Sequence, residues 1–283
     1  MTATGLSCGS CGTELSEKAK FCSECGAAVA TATAPAEYQQ VTVLFADVVH
    51  SMDIAAAVGA ERLLRFWIVE GVLIMDPMSA VAPYNHEGVP DPARAALLVI
   101  DMQEHFADIA TAILPAVSSL VTAARNADMP VFYTRHGHQD LSVDGGVLAA
   151  WWGGDLSMVG DADWRFLSRI TPRPRDPIID KTRYSAFFGT QLASMLSARD
   201  VSDLVICGVV TNCCCETTAR DGFMRDYNVF VAADATAATN EDLHISSLKG
   251  MAYACARVLT TVQLCDAFER QSPRTRRFLG AGP

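Results

Sequence analysis

Short apolar runs separated by amphipathic stretches dominate the chain from residue 95 onward. Six runs predict buried strands, at residues 95–100, 131–133, 178–179, 204–210, 229–233 and 258–261. Helical stretches lie between them, at residues 111–126, 189–199, 214–227 and 241–256. Because strands that alternate with helices pair in parallel, this pattern predicts an α/β fold, a doubly wound parallel sheet of about six strands with helices on both faces.

The remaining residues follow other patterns, which divide the chain into four parts. Residues 1–28 are rich in cysteine, and residues 29–93 begin with an Ala- and Thr-rich stretch that is typical of a linker. The α/β pattern occupies residues 94–268. The last part, residues 269–283, is a basic tail that we expect to be disordered.

Two cysteine pairs near the N-terminus predict a structural zinc site. Cys8 and Cys11 form one C-x-x-C pair, and Cys22 and Cys25 form a second. Ten residues separate the two pairs. Four thiolates complete the tetrahedral coordination of Zn²⁺, and in a segment too short for a hydrophobic core the metal would supply the folding energy. The segment resembles a bacterial zinc-ribbon. A closed site of this kind indicates an interaction module rather than an active site.

Residues 41–66 contain a second, shorter pattern. The sequence around Asp47 resembles the first strand and helix of class III nucleotide cyclases, in which an aspartate at this place would hold a catalytic metal. No second metal aspartate and no later cyclase motif follow. We therefore interpret residues 29–93 as a linker and a truncated fragment, or as the result of a start codon assigned too early, with Met75 or Met78 as the alternative start.

Composition and charge indicate which classes of binding partner are disfavoured for this chain. Hydrophobic residues make up 50% and charged residues 19% of the chain, as in a globular protein. The net charge of −10 disfavours binding to nucleic acid or to anionic membranes. No signal peptide is visible, and the longest apolar stretch, residues 63–75, is too short and too charged to span a membrane. We expect a cytoplasmic protein that acts on a small molecule.

Three polar residues follow predicted strands at the edge where such sheets bind ligands. They are Asp101 after the first strand, Lys181 after the third and Cys214 after the fourth. The start of a helix and a nearby ammonium group both favour a thiolate, so we expect Lys181 to lower the pKa of Cys214. Asp101 could accept the thiol proton. Together they form the nucleophile, base and electrostatic partner of covalent catalysis.

The segments around these residues, at 99–103, 181–187 and 208–221, resemble the three catalytic motifs of the isochorismatase-like cysteine hydrolases. This family includes nicotinamidases, N-carbamoylsarcosine and ureidoacrylate amidohydrolases, and isochorismatase. The resemblance implies that Asp101 is the general base, that Lys181 stabilises charge, and that Cys214, not its neighbours, forms the acyl-enzyme. It also implies a cis peptide before Val210, with the N–H groups of Val210 and Cys214 as the oxyanion hole.

Further residues are candidates for contacts with the substrate. Arg183, which suits a carboxylate, is one of six such candidates, the others being Gln103, His136, Trp151, Tyr184 and Phe187. His136 and His138 are also potential metal ligands. Position 134 is Thr, however, so the metal-binding aspartate-x-histidine arrangement of nicotinamidases is missing, and we expect no cofactor for catalysis.

The long loop at residues 137–163 is expected to be functional. Its residues Trp151 and Trp152 would either line a pocket or pack between subunits of a homo-oligomer.

The whole pattern predicts a hydrolase of an amide-type C–N bond. One alternative is hydrolysis of a vinyl ether, as in isochorismatase, with Asp101 as proton donor. The other is a non-catalytic signalling scaffold that the zinc-ribbon recruits.

Overall fold

The computed structural model of the chain divides into two compact units, Met1–Ala57 and Val58–Pro283. It describes residues 77–271, the backbone at 66–69 and 72–75, and five residues of the first unit: Ser10, Cys11, Thr13, Glu24 and Cys25. The predictions for the zinc-ribbon, the linker, the cyclase-like fragment and the basic tail therefore fall largely outside the described residues.

Six strands form one parallel sheet. They are β3 (Ala95–Ile100), β4 (Val131–His136), β5 (Ile178–Lys181), β6 (Asp203–Val209), β7 (Asn228–Ala237) and β8 (Arg257–Leu259). Their order across the sheet is β5-β4-β3-β6-β7-β8, and every neighbouring pair is parallel. This is the predicted doubly wound sheet. Its strand order reverses between β3 and β6. Two earlier strands, β1 (Phe66–Val69) and β2 (Val72–Met75), form a separate antiparallel pair.

The α-helices lie between the strands and at both ends of the domain. They are α1 (Pro77–Val81), α2 (Ala107–Ala110), α3 (Leu114–Asn126), α4 (Gly146–Trp151), α5 (Leu192–Ser197), α6 (Glu216–Phe223), α7 (Glu241–Ala254) and α8 (Thr261–Gln271). Short 3₁₀ helices occur at Ala82–Tyr84, Glu104–Phe106 and Thr111–Ile113. Two π-helical turns occur at Leu141–Gly145 and Thr211–Cys215.

Alternate residues of the strands face two different hydrophobic cores. Leu97 and Val99 of β3 face a core that contains side chains of α3 and α8. Leu98 and Ile100 face the opposite core, which contains side chains of α5, α6 and α7. Helices therefore cover both faces of the sheet, as the sequence predicted, and strands buried on both faces explain the continuous apolar runs.

The segment before β3 belongs to the α/β domain. Val81 is fully buried in the second core. The amide group of Asn85 donates a hydrogen bond to the Val258 carbonyl (2.7 Å) and accepts one from the Val258 N–H (2.9 Å) on the edge strand β8. A segment that begins at Pro77, before the predicted domain start at residue 94, therefore packs against the sheet.

Helix α8 forms the other end of the α/β domain. Helix α8 continues to Gln271, three residues past the predicted boundary at 268, because Leu264 and Phe268 bury one of its faces in the first core. The four predicted helices correspond to α3, α5, α6 and α7. The pattern missed α8, and it missed α4 inside the stretch that was predicted to be a loop.

The stretch Glu104–Asn126 is long and apolar enough, by composition, to cross a membrane. It consists of consecutive short helical pieces rather than one continuous helix. Val117, Leu120 and Ala124 of this stretch are buried in the first core. We interpret it as a core element of the α/β domain.

Candidate active site

The three predicted catalytic residues meet at the carboxyl edge of the sheet. Asp101 directly follows β3 with a positive φ of 47°, and Lys181 is the last residue of β5. Cys214 lies in the π-helical turn after β6. Because β3 and β6 are the strands between which the order reverses, the site lies at the topological switch point, where doubly wound sheets bind ligands.

A glycine allows the close approach of the two central strands. Gly208 has a φ of 114°, and a Cβ atom built on it would lie 2.1 Å from the carbonyl oxygen of Ile100. No other residue type fits this backbone without displacing β3. Gly208 thus fixes the distance between the strand that carries Asp101 and the strand that leads to Cys214.

Lys181 connects the other two members of the trio. Its Nζ lies 2.7 Å from Asp101 Oδ2 and 3.3 Å from Cys214 Sγ, and it also donates to the Arg183 carbonyl at 3.1 Å. All three residues of the trio are buried. Two hydrogen bonds and the ion pair with Asp101 hold the ammonium group in one place.

Burial dominates the protonation of this site. It raises the pKa of the Cys214 thiol well above its usual range, Lys181 lowers it only in part, and Asp101 raises it further. Lys181 thus lowers the pKa of Cys214 as expected, but the net shift is upward, because an anion loses its hydration here and faces Asp101. Burial also lowers the pKa of Lys181, but Asp101 and Cys214 outweigh this, and the net shift is upward.

The three adjacent cysteines have different surroundings. Cys214 contacts Lys181. Cys215 is fully buried in the second core. Cys213 is partly exposed and hydrogen-bonds to the hydroxyl group of Tyr184. Among them, Cys214 has the environment of a nucleophile.

Comparison with known proteins agrees with this geometry. The family model described as the isochorismatase domain matches residues 95–263, and the one described as a zinc-ribbon domain matches residues 7–29. The chain belongs to the isochorismatase family. Its members are hydrolases, and this chain is one as well.

Relatives of known name match about two thirds of the chain. Nicotinamidase 3 of Arabidopsis thaliana is 39% identical over 183 residues, which are 64% of this chain and 90% of the relative. Ureidoacrylate amidohydrolase RutB of Caulobacter segnis is 33% identical over 232 residues, 71% of this chain and 97% of the relative. A cysteine hydrolase from Pseudomonas syringae pv. phaseolicola has the same fold, with a TM-score of 0.63, 32% identity, and coverage of 65% of this chain and 97% of that structure.

The backbone around Val210 has the form that the resemblance to the family implied. The peptide bond between Val209 and Val210 is cis. The Val210 carbonyl accepts hydrogen bonds from the N–H groups of Cys213 (3.1 Å) and Cys215 (3.2 Å), which close the turn that carries Cys214.

Two of the predicted substrate contacts have structural roles instead. The Gln103 amide donates to the carbonyls of His136 and Trp164 and accepts from the His136 N–H, so all its described hydrogen bonds are to the main chain. The Phe187 ring lies in the second core and stacks on Tyr227. These contacts do not support a role in binding for either residue.

Three of the other candidates, Trp151, Arg183 and Tyr184, line a cavity. Two hydrogen bonds tie residues 141–152 to the loop after Lys181: Arg183 Nη1 donates to the Asp144 carbonyl (2.8 Å), and Trp152 Nε1 donates to the Tyr184 hydroxyl (2.7 Å). A cavity of about 730 Å³ opens between these two segments. It is lined by Val147, Leu148, Trp151, Arg183, Tyr184, Ser185, Phe188 and Thr217.

A pair of histidines lies beside the trio. The rings of His136 and His138 are 5.1 Å apart between centroids, and His138 Nδ1 lies 3.0 Å from the Asp144 carboxylate. The Nε2 atoms of both rings are buried without a hydrogen-bond partner. Burial, with Lys181 as the next cause, lowers the pKa of His136 to about 4, so this imidazole is neutral at pH 7.

The two histidines do not make a metal site by themselves. Among the residues that the structure describes, no three His, Cys, Asp or Glu side chains form a group that could hold a metal ion. Two ring nitrogens fall short of the three protein ligands that catalytic zinc sites have.

Proposed function

We propose that this chain hydrolyses an amide-type C–N bond of a small molecule through an acyl-enzyme on Cys214. The observation that carries the proposal is the buried contact chain from Asp101 through Lys181 to Cys214 at the switch point of the sheet. A nucleophile, a proton acceptor and a fixed cation are the groups that covalent catalysis of this kind needs. Two relatives that act on amide bonds by name, a nicotinamidase and an amidohydrolase, support it.

The first half of the reaction forms a thioester. Asp101 takes the thiol proton while Cys214 Sγ attacks the carbonyl carbon, so a thiolate need not accumulate in a site that raises the pKa of this thiol. The N–H groups of Val210 and Cys214 stabilise the oxyanion. Asp101 then gives the proton to the leaving nitrogen, the C–N bond breaks, and the amine departs.

The second half releases the acid. A water molecule attacks the thioester carbon, and Asp101 accepts its proton. The C–S bond breaks, the proton returns to Cys214, and the carboxylic acid leaves. The Lys181 ammonium keeps Asp101 and Cys214 in place through both halves and balances the negative charge.

The cavity indicates the class of substrate. Most of its lining side chains are aliphatic or aromatic, with Arg183 as the charged exception. Tyr184 reaches both this cavity and Cys213, the neighbour of the nucleophile. We propose that an apolar or aromatic part of the substrate occupies the cavity beside Trp151 and Tyr184, while His136 hydrogen-bonds a polar group near the scissile bond.

A hydrolysis screen tests the proposal. Nicotinamide, carbamoylated amines, ureidoacrylate and isochorismate are offered to the full-length protein, and turnover is stopped midway for mass spectrometry of the cysteine peptides. We expect turnover of an amide and an acyl adduct on Cys214. Turnover of isochorismate alone, without an adduct, would favour the vinyl ether alternative with Asp101 as proton donor.

We propose that Cys8, Cys11, Cys22 and Cys25 hold a structural zinc ion, which the match to a zinc-ribbon domain at residues 7–29 supports. Elemental analysis should find about one zinc per chain. Because four sulfur ligands leave no open position, removal of this zinc with a chelator should leave hydrolysis intact. A protein without zinc, or a folded protein that loses its activity with the metal, would contradict this.

We also propose that the chain works as a cytoplasmic homo-oligomer. Val143, Val147 and Trp151 lie four residues apart along the chain, and each is about four-fifths exposed, at 82%, 81% and 78%. Apolar side chains repeated at this spacing form a stripe that a monomer seldom leaves uncovered. Trp151→Ser should shift the protein to a smaller species in light scattering, whereas a monomeric wild type would refute the proposal.

A further inference from the structure

One threonine makes two hydrogen bonds to Asp101. Thr134, in the neighbouring strand β4, donates from its hydroxyl group to Asp101 Oδ1 at 2.5 Å. The same hydroxyl oxygen accepts from the backbone N–H of Asp101 at 3.1 Å. Both residues are fully buried. The hydroxyl therefore holds the main chain and the side chain of Asp101 at once, in the positive-φ conformation that follows β3.

The two oxygens of the Asp101 carboxylate consequently have different partners. Oδ1 faces Thr134, and Oδ2 lies 2.7 Å from Lys181 Nζ. The Asp101 N–H donates to the Thr134 oxygen, so the hydroxyl proton is left to point at Oδ1. A carboxylate without this bond could turn about its last torsion angle and exchange its oxygens.

We propose that Thr134 is a positioning residue for the hydrolytic reaction, which reserves Oδ2 of Asp101 for proton exchange with Cys214 and favours the ionised carboxylate. The inference rests on the function proposed above. A hydrogen bond to the charged form of an acid stabilises that form. The hydrogen bond from Thr134 also fixes the last torsion angle of the Asp101 side chain. The carboxylate therefore loses no further rotational freedom when the transition state forms.

The strand alone does not require this hydroxyl group. Thr134 pairs with Ile179 in the sheet, a place where valine would fit equally well. Thr134→Val keeps the shape of the side chain but leaves Oδ1 and the Asp101 N–H without their shared partner. Thr134→Ser keeps the hydroxyl group and loses only a methyl group.

The test compares these two variants with Thr236→Val. Thr236 is a buried threonine of β7 whose hydroxyl bonds to the carbonyls of Ala232 and Ala233, so its loss controls for removal of a buried hydroxyl elsewhere. For Thr134→Val we expect a kcat lower by roughly tenfold to a hundredfold, which matches the loss of a hydrogen bond to a charged group. KM should stay near the wild-type value. The acidic limb of the kcat/KM profile should move to higher pH.

Thr134→Ser should recover most of the kcat and restore the acidic limb, and Thr236→Val should match the wild type in both. A Thr134→Val enzyme with an unchanged kcat and acidic limb would overturn the inference. So would a serine variant as impaired as the valine variant. If Thr134→Val does not fold, as judged by circular dichroism, Thr134→Ala and Thr134→Ser give the same comparison.

A second readout does not depend on any substrate. Iodoacetamide alkylates Cys214 at a rate that rises as Asp101 becomes able to accept the thiol proton. The pH at which this rate increases should be higher in Thr134→Val than in the wild type and in Thr134→Ser. If the protein hydrolyses no amide but this shift is present, the proposed function fails while the role of Thr134 stands. An alkylation profile equal to the wild type in Thr134→Val would refute the role of Thr134.

Discussion

The thiol of Cys214 lies in a site where burial raises its pKa, although Lys181 is only 3.3 Å away. At neutral pH the resting residue is therefore a thiol beside Asp101. Under the proposed mechanism, activation depends on proton transfer to Asp101 during the attack and not on a thiolate formed beforehand. The mechanism therefore needs a base next to the cysteine.

Substitution of the nucleophile and of the base separates the two chemical mechanisms. Under the acyl-enzyme mechanism both Cys214→Ala and Asp101→Asn should lose several orders of magnitude in kcat for an amide, because each removes one member of a catalytic unit. Cys265→Ala, which changes a cysteine on the remote helix α8, serves as the control and should retain activity. If Cys214→Ala turned over an amide normally while Asp101→Asn was inactive, the cysteine mechanism would be wrong.

His136 should make stability depend on pH. Its pKa falls from 6.5 to about 4 on folding, so between these values the unfolded chain binds a proton that the folded chain does not. The free energy of unfolding should therefore decrease as the pH falls from 6.5 to 4, by about 2 to 3 kcal/mol from this residue.

Urea unfolding of the wild type and of His136→Gln, at pH 7 and at pH 4.5, measures this contribution. The variant should lose less stability between the two pH values than the wild type does. Parallel losses in the two proteins would show that His136 does not carry the effect.

Single residues differ in how far the sequence could reveal their role. Asp101, Lys181 and Cys214 could be selected because each follows an apolar run and all three stand in motif order. Thr134 stands out in the sequence only as a departure from the aspartate of nicotinamidases, since nothing in a sequence shows which hydroxyl groups face a carboxylate. The polar side chain of Gln103 suggested binding, but whether an amide bonds to the main chain or to a ligand is decided by tertiary contacts.

Among the secondary structure elements, β3 and β6 determine the shape of the site. Gly208→Ala would place a Cβ atom against the Ile100 carbonyl and should lower the free energy of unfolding by more than about 2 kcal/mol. Gly153 also has a positive φ, 59°, but no atom lies close to where its Cβ would be. Gly153→Ala therefore measures the backbone strain alone, and it should lower the free energy of unfolding by only about 1 kcal/mol. Urea denaturation gives both values. Equal effects would mean that the close approach of the strands is unimportant.

Two hydrogen bonds hold the segment at residues 141–152 against the loop after Lys181. Trp152→Phe removes the hydrogen bond to Tyr184 and should raise KM severalfold with little change in kcat, because the segment borders the cavity rather than the trio. Hydrogen exchange should become faster in residues 141–152 and stay unchanged in β3. Equal exchange in both proteins would show that this bond does not hold the segment.

The sequence predicted those elements whose apolar pattern is strong. All six strands of the sheet and four of its helices follow from runs of buried residues. Helix α4 was missed because its exposed face carries Val147 and Trp151, so no polar and apolar sides can be told apart. Helix α8 was missed because its buried apolar side chains are only those of Leu264, Ala267 and Phe268, which form a weak pattern in the sequence.

For the whole molecule, the segment before β3 defines where the α/β domain begins. A chain that starts at Met75 retains α1 and Asn85, so its melting temperature and activity should equal those of the full-length protein. A chain that starts at Arg94 loses the buried Val81 and both hydrogen bonds to β8. Its melting temperature should fall by about 5–10 °C.

The exposed edge of β8 should also make the shorter chain aggregate. Differential scanning fluorimetry and size-exclusion chromatography of the two truncated chains measure these effects. Aggregation of the Met75 chain would show that earlier residues are part of the domain. A fully stable Arg94 chain would show that the Asn85 contacts are dispensable.

The burial of the Lys181 amine among its three partners has a practical consequence for attaching this protein to a surface. The chain contains four lysines, at positions 18, 20, 181 and 249. Lys181 is buried, and its amine is fully engaged by Asp101, Cys214 and the Arg183 carbonyl, so amine-reactive reagents should not acylate it. Coupling through amines would instead use Lys249 or the N-terminal residues, and an immobilised preparation should keep the Lys181 ammonium group unmodified.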